Sequence, residues 1–253
     1  MGASAVAAVA LNWMDVDRRL ASDSRVVIPL GANEEHGYLS LCTDTLFVEE
    51  VCRQACERAN VLLMPALPFG CSAFAARYPG TISLRTSTMG EIVQDIVTSL
   101  YTQGFRRLIF VTGHGGNEAV PGRLSELALD CPALVVHYRS AWAGMWPEVV
   151  RTAKERGWAA PEHAGWHENF AFTRVASSPA IPSARENAFP FPDSPDFPIF
   201  PLNPRLARTF LPEGIVRGPA AIDDDEFMTA LLEAAVAELA SFLTSQPRSR
   251  PVR

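Results

Sequence analysis

Residues 26–37 read V-V-I-P-L-G-A-N-E-E-H-G, an apolar, β-branched run that ends in glycine, two acids and an imidazole. In an extended chain, side chains at i and i+2 project to the same side. Glu34 and His36 therefore share one space, and a carboxylate beside an imidazole reads there as two ligands for one cation. Polar chemistry placed just past the end of a buried strand is the pattern of a doubly wound sheet, in which ligands bind beyond the carboxyl ends of the strands.

Working outward, short apolar runs of the same kind recur at 25–31, 60–67, 107–113 and 133–138. They alternate with helical patterns at 44–58, 90–103 and 119–130, and a last helix is expected at 224–244. This alternation predicts an α/β fold with a mostly parallel central sheet and helices on both faces. Thr88 and Glu91 fit a capping box, and Gly104 stands where a C-terminal glycine belongs. The acids Asp223–Glu226 suit the positive end of the last helix. No internal repeat and no linker appear, so residues 1–253 form one expected domain. Residues 183–212 are dense in proline and phenylalanine, including F-P-F-P-D-S-P-D-F-P-I-F-P, which can continue neither a helix nor a central strand. This segment is expected either to cover the surface or a neighbouring subunit, or to form a lid over the site.

The composition bounds the function. The chain has 253 residues, 48% of them hydrophobic and 20% charged, with a net charge of −6. An acidic chain without a basic stripe argues against a nucleic-acid partner. The five cysteines are scattered and lack C-x-x-C spacing, which predicts reduced thiols and no structural zinc site. The apolar N-terminal run has no basic region before it, and Asp15 and Asp17 follow closely, so neither a signal peptide nor a membrane span is expected. A soluble cytoplasmic protein with a small-molecule substrate is the expectation.

Further candidate ligands fall at other strand and loop ends: Asp44 in C-T-D-T, His114 in V-T-G-H-G-G-N, and His163 and Glu168 in H-A-G-W-H-E-N. Taken alone, Asp44 fits a helix cap, Glu34 a solvated acid and His114 a loop cap. Together, two histidines and three carboxylates at these places are the set that two zinc- or manganese-like ions require. The run G-H-G-G-N is a poor phosphate cradle: Glu118 occupies the place of the last glycine of a dinucleotide fingerprint, and no Gly-Lys-Ser/Thr follows. Its glycines make better sense as room for an imidazole and a substrate near the backbone. His137, closing A-L-V-V-H-Y, is expected as a hydrogen-bonded core or edge residue.

The ordered motifs I-P-L-G-A-N-E-E-H-G, T-D-T, L-P-F-G with Y-P-G-T-I-S-L, G-F-R-R-L-I-F-V-T-G-H-G-G-N, H-A-G-W-H-E and G-I-V-R-G-P resemble those of the creatininase (creatinine amidohydrolase) family. The resemblance covers about Val26 to Pro219. It implies a three-layer α/β/α sandwich assembling as a homohexamer. It also implies a site for two divalent ions, zinc first and manganese or iron as alternatives, and hydrolysis of amide-type C–N bonds. By the resemblance, Glu34 and His36 each match a ligand of a different ion, Asp44 the carboxylate bridging both, and His114 the histidine of the glycine-rich motif. Creatininase itself takes its last carboxylate two residues after that histidine, where Gly116 stands here. As in relatives that share G-H-G-G-N, Glu168 completes the set, and His163 matches the proton carrier.

Three departures from the family pattern concern the substrate more than the ions. Y-L-S-L-C follows His36-Gly37 in place of P-H-L-P-L-G, Thr112 replaces an asparagine, and Asn169-Phe170 replaces Thr-Ser after Glu168, with His167 added. Trp142, Trp146, Trp158 and Trp166 crowd the last motifs. Of these, Trp166 and Trp142, together with Tyr38, are expected to wall a flat substrate such as a cyclic amide or a formamide compound. A peptidase that trims a short precursor peptide and a metal-retaining module without turnover are the alternatives, and one relative that cleaves a carbon–carbon bond widens the range.

Overall fold

The computed structural model describes residues 6–158, 163–175 and 224–248, together with Arg205, Ala207, Arg208, Gly214 and Ile222. The expected 183–212 segment lies outside the described residues apart from three of these positions. In chain order the elements are α1 (Trp13–Leu20), β1 (Arg25–Leu30), α2 (Thr43–Ala59), β2 (Leu62–Leu63), α3 (Thr86–Gln103), β3 (Arg107–Thr112), α4 (Ala119–Asp130), β4 (Val135–Ser140), α5 (Trp146–Glu155) and α6 (Asp225–Ser245).

The four described strands form one sheet in the order β2-β1-β3-β4, and every pairing is parallel. Successive residues of a strand face opposite layers, and both layers are apolar here. Val26, Ile28, Leu30, Leu108 and Phe110 pack with Met89, Val93 and Val97 of α3 and Val120 and Leu124 of α4. Val27, Ile109 and Val111 pack with Phe47, Val48 and Val51 of α2 and Leu231, Ala235 and Leu239 of α6. This is the expected three-layer α/β/α arrangement. β1 and β3 are neighbours whose following helices, α2 and α4, lie on opposite faces. The crevice at their carboxyl ends is thus the topological switch point, where such sheets bind ligands.

Several boundaries differ from expectation for identifiable reasons. The second strand shrinks to two residues, because Pro65 lacks an amide hydrogen, although Leu67 N–H still donates to Pro29 at 3.0 Å. Pro29 is tolerated in the central strand β1 because its nitrogen faces the chain beyond the end of β2. Helix α3 begins at Thr86 with Arg85 as its cap residue, so Thr88 is interior and the expected capping box is absent. Gly104 does close that helix, with φ 109°. Helices α1 and α5 were not among the expected elements. The start of α1 is marked by a capping box of Asn12 with Asp15, and that of α5 by Pro147 near its first position. All five cysteines are unpaired by disulfides.

Helix α6 is long and apolar enough to cross a membrane by length and composition, and its apolar stripe packs on the core. Its C-terminal end is fastened by Arg25, whose side chain is about 1% exposed. The guanidinium donates to Leu243 O at 2.7 Å and Gln246 O at 3.3 Å, and is itself held by Asp23 at 2.6 Å. Replacing Arg25 by Met leaves two helix-end carbonyls without their donor and strips the Asp23 carboxylate of its buried guanidinium, leaving it the residue-25 amide at 3.1 Å. A loss of about 3 kcal/mol is expected, read as a lower midpoint in urea with an unchanged slope.

Candidate metal centre

Each candidate side chain reaches the switch point by a separate route. Glu34 and His36 lie on the loop that leaves β1, and Asp44 lies in the first turn of α2. His114 follows β3 and precedes a 3-10 turn at Gly115–Asn117. Glu168 ends another 3-10 turn, Trp166–Glu168, which comes after α5. Gly113 makes the convergence possible: a Cβ there would stand 2.4 Å from the Asp44 carbonyl oxygen. Only glycine lets the start of α2 press against the end of β3 and deliver Asp44.

The five side chains meet in a buried cluster. His114 Nδ1 lies 2.9 Å from Asp44 Oδ2 and 3.3 Å from Glu34 Oε1. His36 Nε2 lies 3.2 Å from Asp44 Oδ1 and 3.9 Å from Glu168 Oε2. The outer nitrogens of both rings face backbone carbonyls: His36 Nδ1 is 3.1 Å from Glu34 O, and His114 Nε2 is 3.2 Å from Cys71 O. Each outer nitrogen must donate its hydrogen, so in the neutral rings the inner nitrogens present lone pairs to carboxylate oxygens. Lone pairs facing anions need a cation or a proton between them. In keeping with this, Glu34 Oε2, His36 Nε2, Asp44 Oδ2 and Glu168 Oε2 are buried and make no hydrogen bond among the described residues.

The electrostatics show the same deficit of positive charge. Burial opposes the charged imidazole, but Asp44 and the other carboxylates override it and hold His36 and His114 well above the ordinary range. Burial likewise opposes the charged form of Asp44, yet the two imidazoles keep its carboxyl well below the usual carboxylate range. Two imidazoles cannot serve three acids. Burial therefore pushes Glu168 up to about 7 despite its histidine neighbours. Ligand atoms of Glu34, Asp44 and His114 lie within 4.8 Å of one another, as do those of His36, Asp44 and Glu168. Carboxylates and imidazoles in two triads sharing one aspartate suit zinc or manganese.

A family model described as creatininase, creatinine amidohydrolase, matches residues 9–243. The chain belongs to the creatininase family. Among curated relatives, the creatinine amidohydrolase of Pseudomonas putida is 35% identical over 126 residues, covering 47% of this chain and 48% of that protein. The mycofactocin precursor peptide peptidase of Mycobacterium tuberculosis is 37% identical over 103 residues, covering 36% of this chain and 41% of that one. The chain spans about half the length of the curated relatives it matches. Similarity to solved structures extends further. A structure titled "Creatininase Mn" superposes with a TM-score of 0.77 at 25% identity, covering 95% of this chain and 98% of the other.

Where family members with an acid two residues after the glycine-loop histidine have a side chain, this chain has no room for one. A Cβ at Gly116 would stand 2.2 Å from Cys71 O and 2.4 Å from His114 Nε2. The third carboxylate of the cluster comes instead from Glu168. His163 stands beside this cluster, with Nδ1 3.5 Å from Glu34 Oε1 and Nε2 donating to Glu35 O at 2.8 Å. Its side chain is 15% exposed against 1% for His36 and 3% for His114, so of these three imidazoles it is the one nearest to solvent.

The aromatic expectations divide. Trp166 does not face the cluster: its ring is fully buried in the core against Trp158 and Phe227. The reason is the 3-10 turn, whose three residues per revolution point Trp166 and Glu168 in different directions. Trp142 is half-buried, stacked on Phe47 at 3.7 Å, and its Nε1 donates to Gly113 O at 2.9 Å. It braces the glycine loop. Tyr38 is half-buried, and its hydroxyl accepts from Asn169. His167 is enclosed by Trp142, Trp146 and Trp166, and burial drives its pKa down to about 3, leaving it neutral. His137 lies on β4 edge-on to Phe242, at the expected core margin.

Two groups at the site escaped the sequence reading. Glu35, between the two predicted ligands, is buried and supplies the carbonyl that orients His163. Phe74 packs edge-on against that imidazole at 5.5 Å. The doubled acid of E-E-H was the one available signal for Glu35. An open groove of about 510 Å³ near Pro29, Leu46, Met64 and Phe172 contains none of these side chains.

Gly116→Ala tests the crowding around His114. The new methyl group meets a backbone carbonyl, which cannot rotate away, so a stability loss of about 1–3 kcal/mol is expected on thermal unfolding. Gly115→Ala, where a Cβ meets nothing within 4 Å, is expected to be near neutral.

Proposed function

We propose that the cluster holds two divalent cations and that the protein is a metal-dependent amidohydrolase cleaving a C–N bond of a small cyclic amide, formamide or related compound. The observation that carries this is the convergence of unpartnered, buried ligand atoms from Glu34, His36, Asp44 and Glu168, with His114 oriented by the Cys71 carbonyl. Glu34, Asp44 and His114 would hold one ion, His36, Asp44 and Glu168 the other, and Asp44 would be shared. Zinc or manganese suits such a donor set, and solved relatives titled with manganese and with zinc support either ion. Such ions, when bound, would lower the pKa of a bound water and polarise a carbonyl oxygen.

The protein's own side chains account for the remaining steps. With Nε2–H committed to the Glu35 carbonyl, His163 directs Nδ1 towards the cluster while its ring stays accessible to solvent. It carries the proton that the departing nitrogen needs, a task suited to an imidazole. Asp44, between the two ions, would stay ionised, because adjacent positive charge favours the carboxylate. Trp142 and Tyr38 form the half-buried rim against which a planar substrate rests. The proposal extends to a homo-oligomer, hexameric by family resemblance, working in the cytoplasm as a single-domain enzyme.

A second reading, a peptidase acting on a short precursor peptide, is favoured by the 37% identity to the mycobacterial peptidase. A hydrolysis screen over lactams, cyclic ureas, formamides and short peptides separates the two by which class turns over.

Asp44→Ala is expected to abolish both metal content and turnover. Stoichiometric metal retained by that variant defeats the ligand assignment. His163→Ala is expected to keep both ions while lowering kcat by roughly 10²- to 10⁴-fold, the range for a lost general acid. An unchanged rate would leave His163 without a catalytic role.

A further inference from the structure

Two of the departures from the family pattern, at residues 38–42 and at Asn169-Phe170, lie far apart in sequence and meet in space. The Tyr38 hydroxyl accepts from Asn169 Nδ2. Asn169 is buried, and Arg174 grips it twice: Nε donates to Oδ1 at 2.6 Å and Nη2 donates to the backbone oxygen at 3.0 Å. Because the guanidinium can only donate, it fixes the amide with its oxygen outward and its nitrogen towards Tyr38. The same two loops are strapped beside this contact. Ser40 N donates to Thr173 O at 2.9 Å, Leu39 forms a bridge with Arg174, and Thr173 Oγ1 donates to Glu168 O at 2.6 Å.

We infer that Asn169 and Arg174 are positioning residues: the Tyr38–Asn169–Arg174 chain locks the loop bearing Glu168 to the loop bearing His36, and so sets the affinity for the ion that those two ligands share. The inference rests on the ligand assignment proposed above and adds what holds those ligands in register. Glu168 needs such a device. It sits on a single 3-10 turn instead of a strand end, and its Oε2 must meet a partner delivered about 130 residues earlier. The outer contact of Arg174 with Asp225 lies in solvent, the aspartate side chain being 67% exposed, so it adds little. The grip on the buried amide is the part that matters. Outer contacts of this kind typically change metal affinity by 10- to 100-fold.

The test titrates the full-length protein, stripped with a chelator, with Zn²⁺ against a chromophoric competitor, and repeats it with Co²⁺ to read ligand-field bands. Wild type is expected to take two ions. Arg174→Met and Asn169→Thr are expected to weaken one of the two by about 10- to 100-fold, to leave the other within twofold, and to alter one set of Co²⁺ bands. Asp225→Asn is expected to change neither. Tyr38→Phe combined with Asn169→Thr is expected to cost no more than the worse single change, since both remove one contact. If Arg174→Met fails to fold, the two uncharged variants carry the test alone. Unchanged affinity for both ions, or equal weakening of both, overturns the inference, the latter because it marks general loosening. Glu168→Ala separates the levels. If it keeps both ions, the ligand assignment falls and this inference with it; if it loses one while Arg174→Met and Asn169→Thr lose none, this inference alone falls.

Discussion

Three carboxylates lie within a few ångströms of one another in a space that water scarcely reaches, and the rest of the molecule is arranged around that fact. A buried carboxylate without opposite charge is costly. Here the available imidazoles fall short, which is why Glu168 rises while Asp44 falls. Chains do not retain such crowding by chance, because one apolar substitution would relieve it. The crowding is instead supported from outside. Backbone carbonyls of Glu34, Cys71 and Glu35 fix one nitrogen on each of His36, His114 and His163, so the other nitrogen is aimed inward. Glycines at 113 and 116 lack the Cβ atoms that would stop these segments from closing.

The sheet explains why these groups could converge at all. β1 and β3 are adjacent and parallel, and their chains leave in opposite directions towards α2 and α4. The gap between the departing loops is a natural cleft, and its walls are the buried carboxyl ends of the two strands. Rigid strands set the positions of Glu34, His36 and His114, while Asp44 borrows the rigidity of α2. Glu168 borrows none, and depends on hydrogen bonds to neighbouring loops.

Much of this was legible in the sequence because burial on both faces leaves a strand little choice but a continuous run of Val, Ile, Leu and Phe. β1 and β3 were found within a residue for that reason, and Glu34, His36 and His114 drew notice because they stand past their ends. Tertiary context concealed the rest. Pro65 truncates β2, a fact invisible until its partner strand is known. Trp166 and Glu168 are two residues apart and looked alike in placement, yet the local turn sends one into the core and the other to the cluster. Glu35 was passed over, since nothing in the linear order reveals that His163 folds back onto its carbonyl.

The late arrival of Glu168 has a consequence for how the chain matures. Four of the cluster's five members lie within residues 34–114, so that portion can present an incomplete acidic pocket during synthesis, before the last acid has been made. An ion captured then would await its final partner, and docking of the later segment would be drawn to completion by the charge left unbalanced. On the proposed reading, ion supply in the cell would govern how firmly the last third of the polypeptide is moored as well as whether the site is competent.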